Sequence, residues 1–380
     1  MNPLVDIRRF DQSLWLDFIS RKILQNGELQ GRIQNDALRG VTSNPAIFEK
    51  AIGGSADYDD TIKEQARQGK SAEEIYIGLA VADVQAACDL FRPLYDSKDN
   101  SSDGYVSLEV SPRLAHDTEG TVTEARQLWK DVARPNVMIK VPATKEGLPA
   151  IRTLISEGIN VNVTLIFGLE RYRAVTEAFI GGLEDRNKTG QSLERIDSVA
   201  SFFLSRIDVL IDPLLEKLVA DGKPEAQPLV GEVAIASAKV AYEMYKEIFS
   251  GPRWQPLADK GAHTQRLLWA STGNKNPKYD DLKYVEALIG PKTVDTVPVE
   301  TMDIFKQRGK SADNLETDTP KAHQTLDALP ALGLHLDDLT QQLEDDGVKK
   351  FIDPFGKLLD SVEKKRKQAV EGVEELKPTA

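Results

Sequence analysis

Along the chain, short apolar runs alternate with longer stretches in which apolar residues recur every three or four positions. The runs LWLDFIS (14–20), GVTSNP (40–45), YVSLEVS (105–111), NVMIKVP (136–142), INVNVTLIF (159–167), SVASFFLSRI (198–207), RLLWAST (266–272) and TVDTVPV (293–299) predict eight strands. Between them, SAEEIYIGLAVADVQAACDLFRPLYD, TVTEARQLWKDVA, KEGLPAIRTLISEG, LERYRAVTEAFIGGLEDR, IDPLLEKLVADG and VAIASAKVAYEMYKEIF predict helices. Eight strands separated by helices predict an α/β protein built as a (β/α)8 TIM barrel. Such a barrel needs about 250 residues, which leaves roughly 130 for insertions and a tail. From Met302 onward the chain turns charged and helical, as in LDDLTQQLEDDGVKKFIDPFGKLLDSVEKKRKQ, with no further strand pattern. No Gly-, Ser- or Pro-rich linker precedes this stretch. Residues 1–301 are therefore expected to form the catalytic barrel, and 302–380 a helical C-terminal extension packed on it. The final EELKPTA is expected to fray.

Composition narrows the function. At 380 residues and 41% hydrophobic content, the chain can bury a large core. A formal charge of -12 argues against nucleic acid or an anionic membrane as partner, yet leaves room for a small cationic pocket that binds an anionic metabolite. No apolar run reaches the roughly 20 residues that span a bilayer. The start MNPLVDIRRFDQSLWLDFIS lacks the features of a signal peptide, so the expected location is cytoplasmic. Cys88 is the single cysteine, and its VQAACDL setting reads as an ordinary helix face. His116, His263, His323 and His335 are scattered without a ligand spacing, so no metal is expected.

The chemistry is carried by polar residues late in the apolar runs. Strand one ends at Asp17, strand two at Thr42, Ser43 and Asn44, strand three at Glu109, strand four at Lys140, and strand five at Asn162 and Thr164. Strands six and seven add Ser201, Arg206 and Ser271. Singly, each fits the wet face of a strand. In a parallel barrel flanked by helices, however, the outer face is not wet, so Asp17, Glu109 and Lys140 are expected to converge in the barrel mouth. A lysine on a buried strand must be paired, snorkelling or used. If used, its amine can capture a carbonyl as a Schiff base and draw electrons from the adjacent carbon–carbon bond.

That chemistry needs the neutral amine. At the ordinary lysine pKa, roughly one side chain in a few thousand is neutral at pH 7, and a shift of about three units corresponds to about 4 kcal/mol. Burial supplies such a shift and a close carboxylate opposes it. Glu109 is accordingly expected as a proton relay, through a water held with Thr164, and not as a close ion-pair partner. Asp17 is placed to take the proton of the substrate hydroxyl. Lys145, in TKEGLPA, is the competing lysine and reads as a solvated residue at a helix start. Arg206 is either a phosphate ligand or an ion-pair partner of Asp208 or Asp212. Lys275, in the loop ASTGNKNP, is either a phosphate ligand or an ordinary surface residue. Phe203 is either a packing residue or a wall of the site.

These residues lie in LWLDFISR, GVTSNPAIFEKAI, VSLEVSPRLAHDTEGTVTEARQL, MIKVPATKEGL, INVNVTLIFGLERY and ASFFLSRID. Taken in order, the six segments resemble the transaldolases, of the longer bacterial type, and EDDGVKKFIDPFGKLLDSV extends the likeness into the tail. The resemblance implies a class I aldolase-like barrel without a cofactor. Its implied activity is transfer of a dihydroxyacetone unit from sedoheptulose 7-phosphate or fructose 6-phosphate to an aldose phosphate, in the non-oxidative pentose phosphate pathway. It makes Lys140 the Schiff-base lysine, Glu109 the acid/base partner and Asp17 the base on the substrate hydroxyl. Asn44, Asn162, Thr164 and Ser201 become binding or water-positioning residues, and Arg206 a phosphate ligand. Shorter transaldolases carry a second arginine near ASFRN, where this chain has ASTGNK, so that role is expected to pass to Lys275. The family also includes enzymes that cleave fructose 6-phosphate outright, with glutamine and tyrosine where this chain has Glu109 and Phe203, which favours transfer. Thr42 and Ser271 complete the expected substrate-binding set, and the expected partners are sugar phosphates.

Overall fold

A computed structural model describes residues 2–97 and 103–374, with side chains up to residue 370. Eight strands form the centre: β1 (Gln12–Leu16), β2 (Gly40–Val41), β3 (Tyr105–Glu109), β4 (Val137–Pro142), β5 (Val161–Ile166), β6 (Ser198–Phe203), β7 (Arg266–Ala270) and β8 (Thr293–Val297). They close in chain order into a parallel barrel, with β1 also paired to β8. The helices that matter for the site are α1 (Ala72–Tyr95), α2 (Thr118–Val132), α3 (Gly147–Glu157), α4 (Leu169–Lys188), α5 (Ser205–Ala220), α6 (Val233–Ser250), α7 (Val299–Arg308), α8 (Thr319–Ala328) and α9 (Leu336–Glu374). The chain is thus a (β/α)8 TIM barrel with additional C-terminal helices.

The strands are buried along their whole length because helices cover their outer faces and side chains fill the interior. Alternation then sorts each strand. On β4, Val137, Ile139 and Val141 face the helices, while Met138 and Lys140 face inward. Register fixes the neighbours: Glu109 lies beside Lys140, Lys140 beside Asn162, and Pro142 beside Thr164. Gly40 is required by close approach, since a Cβ there would meet the Trp15 ring at 2.6 Å.

Several strands are shorter than their apolar runs, because the chain leaves the sheet at the rim. Asp17 follows the last residue of β1, and Asn44 already caps the short helix Pro45–Phe48, its Oδ1 accepting from the Ala46 and Ile47 amides. Serine 205 opens α5 directly after β6. Two rim residues take left-handed backbone conformations: Leu165 (φ 62°), where the register with β6 shifts, and Ser271 (φ 55°). For side chains larger than glycine this costs on the order of 1 kcal/mol each, and such bulges re-aim neighbouring side chains at sites.

Helix α7 spans the expected boundary between residues 301 and 302. Beyond it, α9 is one continuous 39-residue helix. Its buried residues Val348, Phe351, Phe355, Leu358 and Val362 recur at three- and four-residue spacing and form one apolar stripe. That stripe lies across the C-terminal ends of the strands. A Cβ on Gly168 would sit 2.6 Å from Thr340 Oγ1, and one on Gly347 3.1 Å from Leu165. Farther along, Lys365 Nζ donates to the Ile52 and Ser55 carbonyls and pairs with Asp59 at 2.7 Å. The end expected to fray lies outside the described residues from 375 onward. Among the described residues, no helix is long and apolar enough to cross a membrane.

Candidate active site

A cavity of about 190 Å³ opens at the C-terminal ends of the strands. Asp17, Thr42, Asn44, Lys140, Thr164 and Ser201 line its barrel side, and Phe203, Arg206, Ser271 and Lys275 line its outer part. Ten of the twelve residues singled out from sequence therefore meet in one place. The other two sit against it.

Lys140 is 4 % exposed, and its Nζ donates to the Ser43 carbonyl at 3.2 Å. It also lies 3.5 Å from Glu109 Oε2, so the expectation that Glu109 is not a close ion-pair partner of the lysine is corrected: the two form a close ion pair. Register is the cause, since directly paired residues on adjacent strands project to the same side about 5 Å apart. Neither Glu109 oxygen has a hydrogen-bond partner. Burial pushes the Glu109 carboxyl up to about 7, against the pull of Lys140 and with help from the negative charge of Asp17. A group of that affinity beside an amine can hold or return a proton near neutral pH. Thr164 Oγ1 is likewise buried without a partner.

Asp17 is also raised by burial, a shift opposed by Lys140, by the Thr42 hydrogen bond, and by Arg206 and Lys275. The Thr42 hydroxyl donates to Asp17 Oδ1 at 2.7 Å. With its single proton so used, Thr42 must accept from Thr296, 2.7 Å away. Asn162 does not line the cavity. Its amide donates to Ser107 Oγ at 3.0 Å, and its carbonyl oxygen accepts from Ser201 at 2.7 Å. It shares a register level with Lys140, and its carbonyl oxygen engages the hydroxyl of Ser201, which does line the cavity.

At the outer end, Arg206 Nη1 is buried without a hydrogen-bond partner, and burial lowers the guanidinium pKa. The ion-pair reading of Arg206 is corrected by the partners its candidates have taken. Asp208 binds Lys283, the Tyr284 hydroxyl and the Ala234 amide, and Asp212 binds the Gly231 amide and the Tyr279 hydroxyl. Lys275 reaches in from its loop, its Nζ donating to Ser271 Oγ at 3.1 Å. Partial burial of this ammonium, then Arg206 and Lys350, push it down to about 8. A cationic end facing an acidic and nucleophilic end suits a substrate with an anionic tail. Lys145 is exposed in the turn before α3 and does not line the cavity. Cys88 is buried on α1, where burial raises its thiol pKa. Among the described residues, no group of three or more His, Cys, Asp or Glu is placed to hold a metal ion.

Five lining residues were not expected from sequence, Ala270, Gly273, Thr296, Pro298 and Phe351, and two of these had a signal. Thr296 is the penultimate residue of β8, and the same test of a polar residue late in an apolar run finds it in TVDTVPV. Phe351, on α9, had a weaker signal, the likeness of the tail segment EDDGVKKFIDPFGKLLDSV.

A family model described as transaldolase/fructose-6-phosphate aldolase matches residues 14–362. The chain is 47% identical over 374 residues to a protein of Nostoc punctiforme named transaldolase 2, covering 96% of this chain and 98% of that one. It is 46% identical over 374 residues to a transaldolase of Trichodesmium erythraeum, covering 97% and 98%. A transaldolase of Thermobifida fusca is 47% identical over 362 residues, covering 95% and 97%.

Proposed function

The chain belongs to the transaldolase/fructose-6-phosphate aldolase family and is an enzyme of the transaldolase type, and from that premise we propose its substrates and mechanism. It moves a dihydroxyacetone unit from sedoheptulose 7-phosphate or fructose 6-phosphate to an aldose phosphate, through a Schiff base on Lys140. The setting is the non-oxidative pentose phosphate pathway in the cytoplasm. Residues 1–301 supply the catalytic barrel, and residues 302–380 form the extension packed on it. One observation carries the mechanism: the Lys140 amine is buried 3.5 Å from a carboxyl whose proton affinity is raised to about 7.

The proton that would keep Lys140 charged moves to Glu109, and the freed amine attacks the ketose carbonyl. Glu109 returns that proton to the departing hydroxyl, through a water held with Thr164, and an iminium forms. Its positive nitrogen accepts the electron pair of the neighbouring carbon–carbon bond while Asp17 removes the proton of the hydroxyl on the far carbon. An aldose phosphate leaves, and a three-carbon enamine stays on Lys140. The enamine carbon then attacks the acceptor aldehyde, Asp17 protonates the new alkoxide, and water releases the product. Thr42 holds Asp17 throughout. Asn44 and Ser201 bind the hydroxyls of the three-carbon unit, with Ser201 oriented by Asn162. Arg206, Lys275 and Ser271 hold the phosphate, and Phe203 walls the site.

The test uses fructose 6-phosphate labelled with carbon-13 in its first three carbons and erythrose 4-phosphate as acceptor. Label is expected in the first three carbons of a seven-carbon ketose phosphate, with wild-type protein and not with Lys140→Ala. Label that stays in fructose 6-phosphate, or transfer that survives Lys140→Ala, would refute the proposal.

A further inference from the structure

The space above Lys140 is closed on one side by a residue from outside the barrel strands and their loops. Phe351, on α9, is 5 % exposed and lines the cavity. Its ring centroid lies 5.5 Å from Lys140 Nζ and 5.9 Å from Arg206 Cζ. From the barrel side, the Phe203 ring meets the same guanidinium at 5.4 Å. Phe355, one turn farther along α9, packs edge-to-face on Tyr76 at 5.6 Å and holds the helix down without lining this cavity.

We infer that Phe351 is a specificity-determining residue that decides whether the three-carbon unit on Lys140 passes to an aldehyde or is lost to water. The inference rests on the proposed reading of Lys140 as the Schiff-base lysine. In transfer, the enamine electron pair forms a bond to the acceptor's aldehyde carbon, and the aldehyde oxygen takes the proton held by Asp17. In loss, the same carbon takes a proton from water instead. A second water then adds to the iminium carbon, the carbon–nitrogen bond breaks, and dihydroxyacetone leaves a free amine behind. The losing branch needs solvent at the three-carbon unit before an acceptor arrives. An aromatic wall beside Lys140 offers no proton and occupies the room solvent would need. Without the ring, the vacated space borders the polar side chains of Lys140, Thr164 and Ser201, which would hold water there.

The test measures free dihydroxyacetone against transfer product from fructose 6-phosphate, with and without erythrose 4-phosphate. Phe351→Ala is expected to raise the ratio of release to transfer about fivefold or more, and Phe351→Gln, which keeps bulk but brings in water, to raise it in the same direction. Phe351→Leu and the helix-seating control Phe355→Leu are expected to stay within about twofold of wild type. An unchanged ratio in both Phe351→Ala and Phe351→Gln overturns the inference, as does an equal rise in Phe355→Leu. Borohydride trapping on the same samples separates the two readings. A wild-type adduct on Lys140 with an unchanged ratio sinks the role of Phe351 alone, whereas no wild-type adduct sinks the Schiff-base reading and this inference with it.

Discussion

Polar side chains gather at both ends of the barrel, and the two ends treat their buried carboxylates differently. At the N-terminal end, Arg266 donates to Ser13 Oγ at 2.9 Å and pairs with Asp103 at 3.2 Å, while Ser13 donates to Asp103 at 2.6 Å. Beside them, Asp197 accepts from the Tyr105 hydroxyl at 2.5 Å and from His263 at 3.0 Å. At the C-terminal end, Glu109, Thr164 and Arg206 keep buried polar atoms without a hydrogen-bond partner; Gln12, Arg39, Asn136 and Gln265 do so at the N-terminal end, but only those at the C-terminal end lie at the cavity or against Lys140. Leaving such atoms unmet costs about 1–3 kcal/mol apiece, and at the mouth a bound ligand can meet them. One end of the barrel meets its carboxylates with hydrogen bonds, and the other leaves atoms of Glu109 and Arg206 open at a cavity that a ligand can enter.

The sharpest way to break this contrast is to exchange the expected phenotypes. Lys140→Met at the mouth is expected to lower transfer by on the order of 10⁴-fold or more, with the urea unfolding midpoint little changed, because the Glu109 carboxyl, already raised to about 7, takes up a proton once the ammonium is gone. A mutant that keeps activity, or one that unfolds, would blur the division. Next in size is Arg266→Leu at the other end, which removes an ion-pair partner of buried Asp103 and leaves the Ser13 hydroxyl donating to it. It is expected to cost about 3–5 kcal/mol in urea unfolding, with KM and kcat of the remaining folded protein within about twofold of wild type.

Arg206→Ala sharpens the division inside the mouth itself. Loss of a charge-assisted contact worth about 1.5–3 kcal/mol should raise KM for fructose 6-phosphate roughly 10- to 100-fold. Unphosphorylated fructose should be handled as poorly by the mutant as by wild type. If both sugars suffer equally, Arg206 supports the site without binding phosphate.

The smallest effect is a pH dependence at the N-terminal end. The hydrogen bond to Asp197 raises the His263 pKa above its ordinary 6.5. A raised folded-state value means that the folded chain binds the proton more tightly, so this stabilisation is complete below pH 6.5 and fades as pH rises through the folded value. His263→Gln should remove that dependence. Because His263 is half-exposed, the difference should stay below about 1 kcal/mol in unfolding experiments at pH 5.5 and 8.5.

How much of this was legible in the sequence follows from what periodicity can report. Eight buried strands announce themselves as short apolar runs, and a lysine or carboxylate late in such a run is too costly to be incidental, which is why Asp17, Glu109 and Lys140 stood out. Alternation assigns a face but not whether a side chain on it reaches the cavity, so Asn162, which does not line it, reads like Thr164, which does. Register between strands is a tertiary property, and without it the 3.5 Å approach of Glu109 to Lys140 was read as a stand-off. Phe351 stayed hidden for a related reason. The spacing of α9 says that one face is buried, not what it is buried against.

The most direct measurement is mass spectrometry of the protein after incubation with fructose 6-phosphate and borohydride. One reduced three-carbon adduct per chain is expected, on the peptide that contains Lys140 and absent from Lys140→Ala. An adduct on Lys145, or none at all, would contradict the chemistry assigned to the barrel mouth.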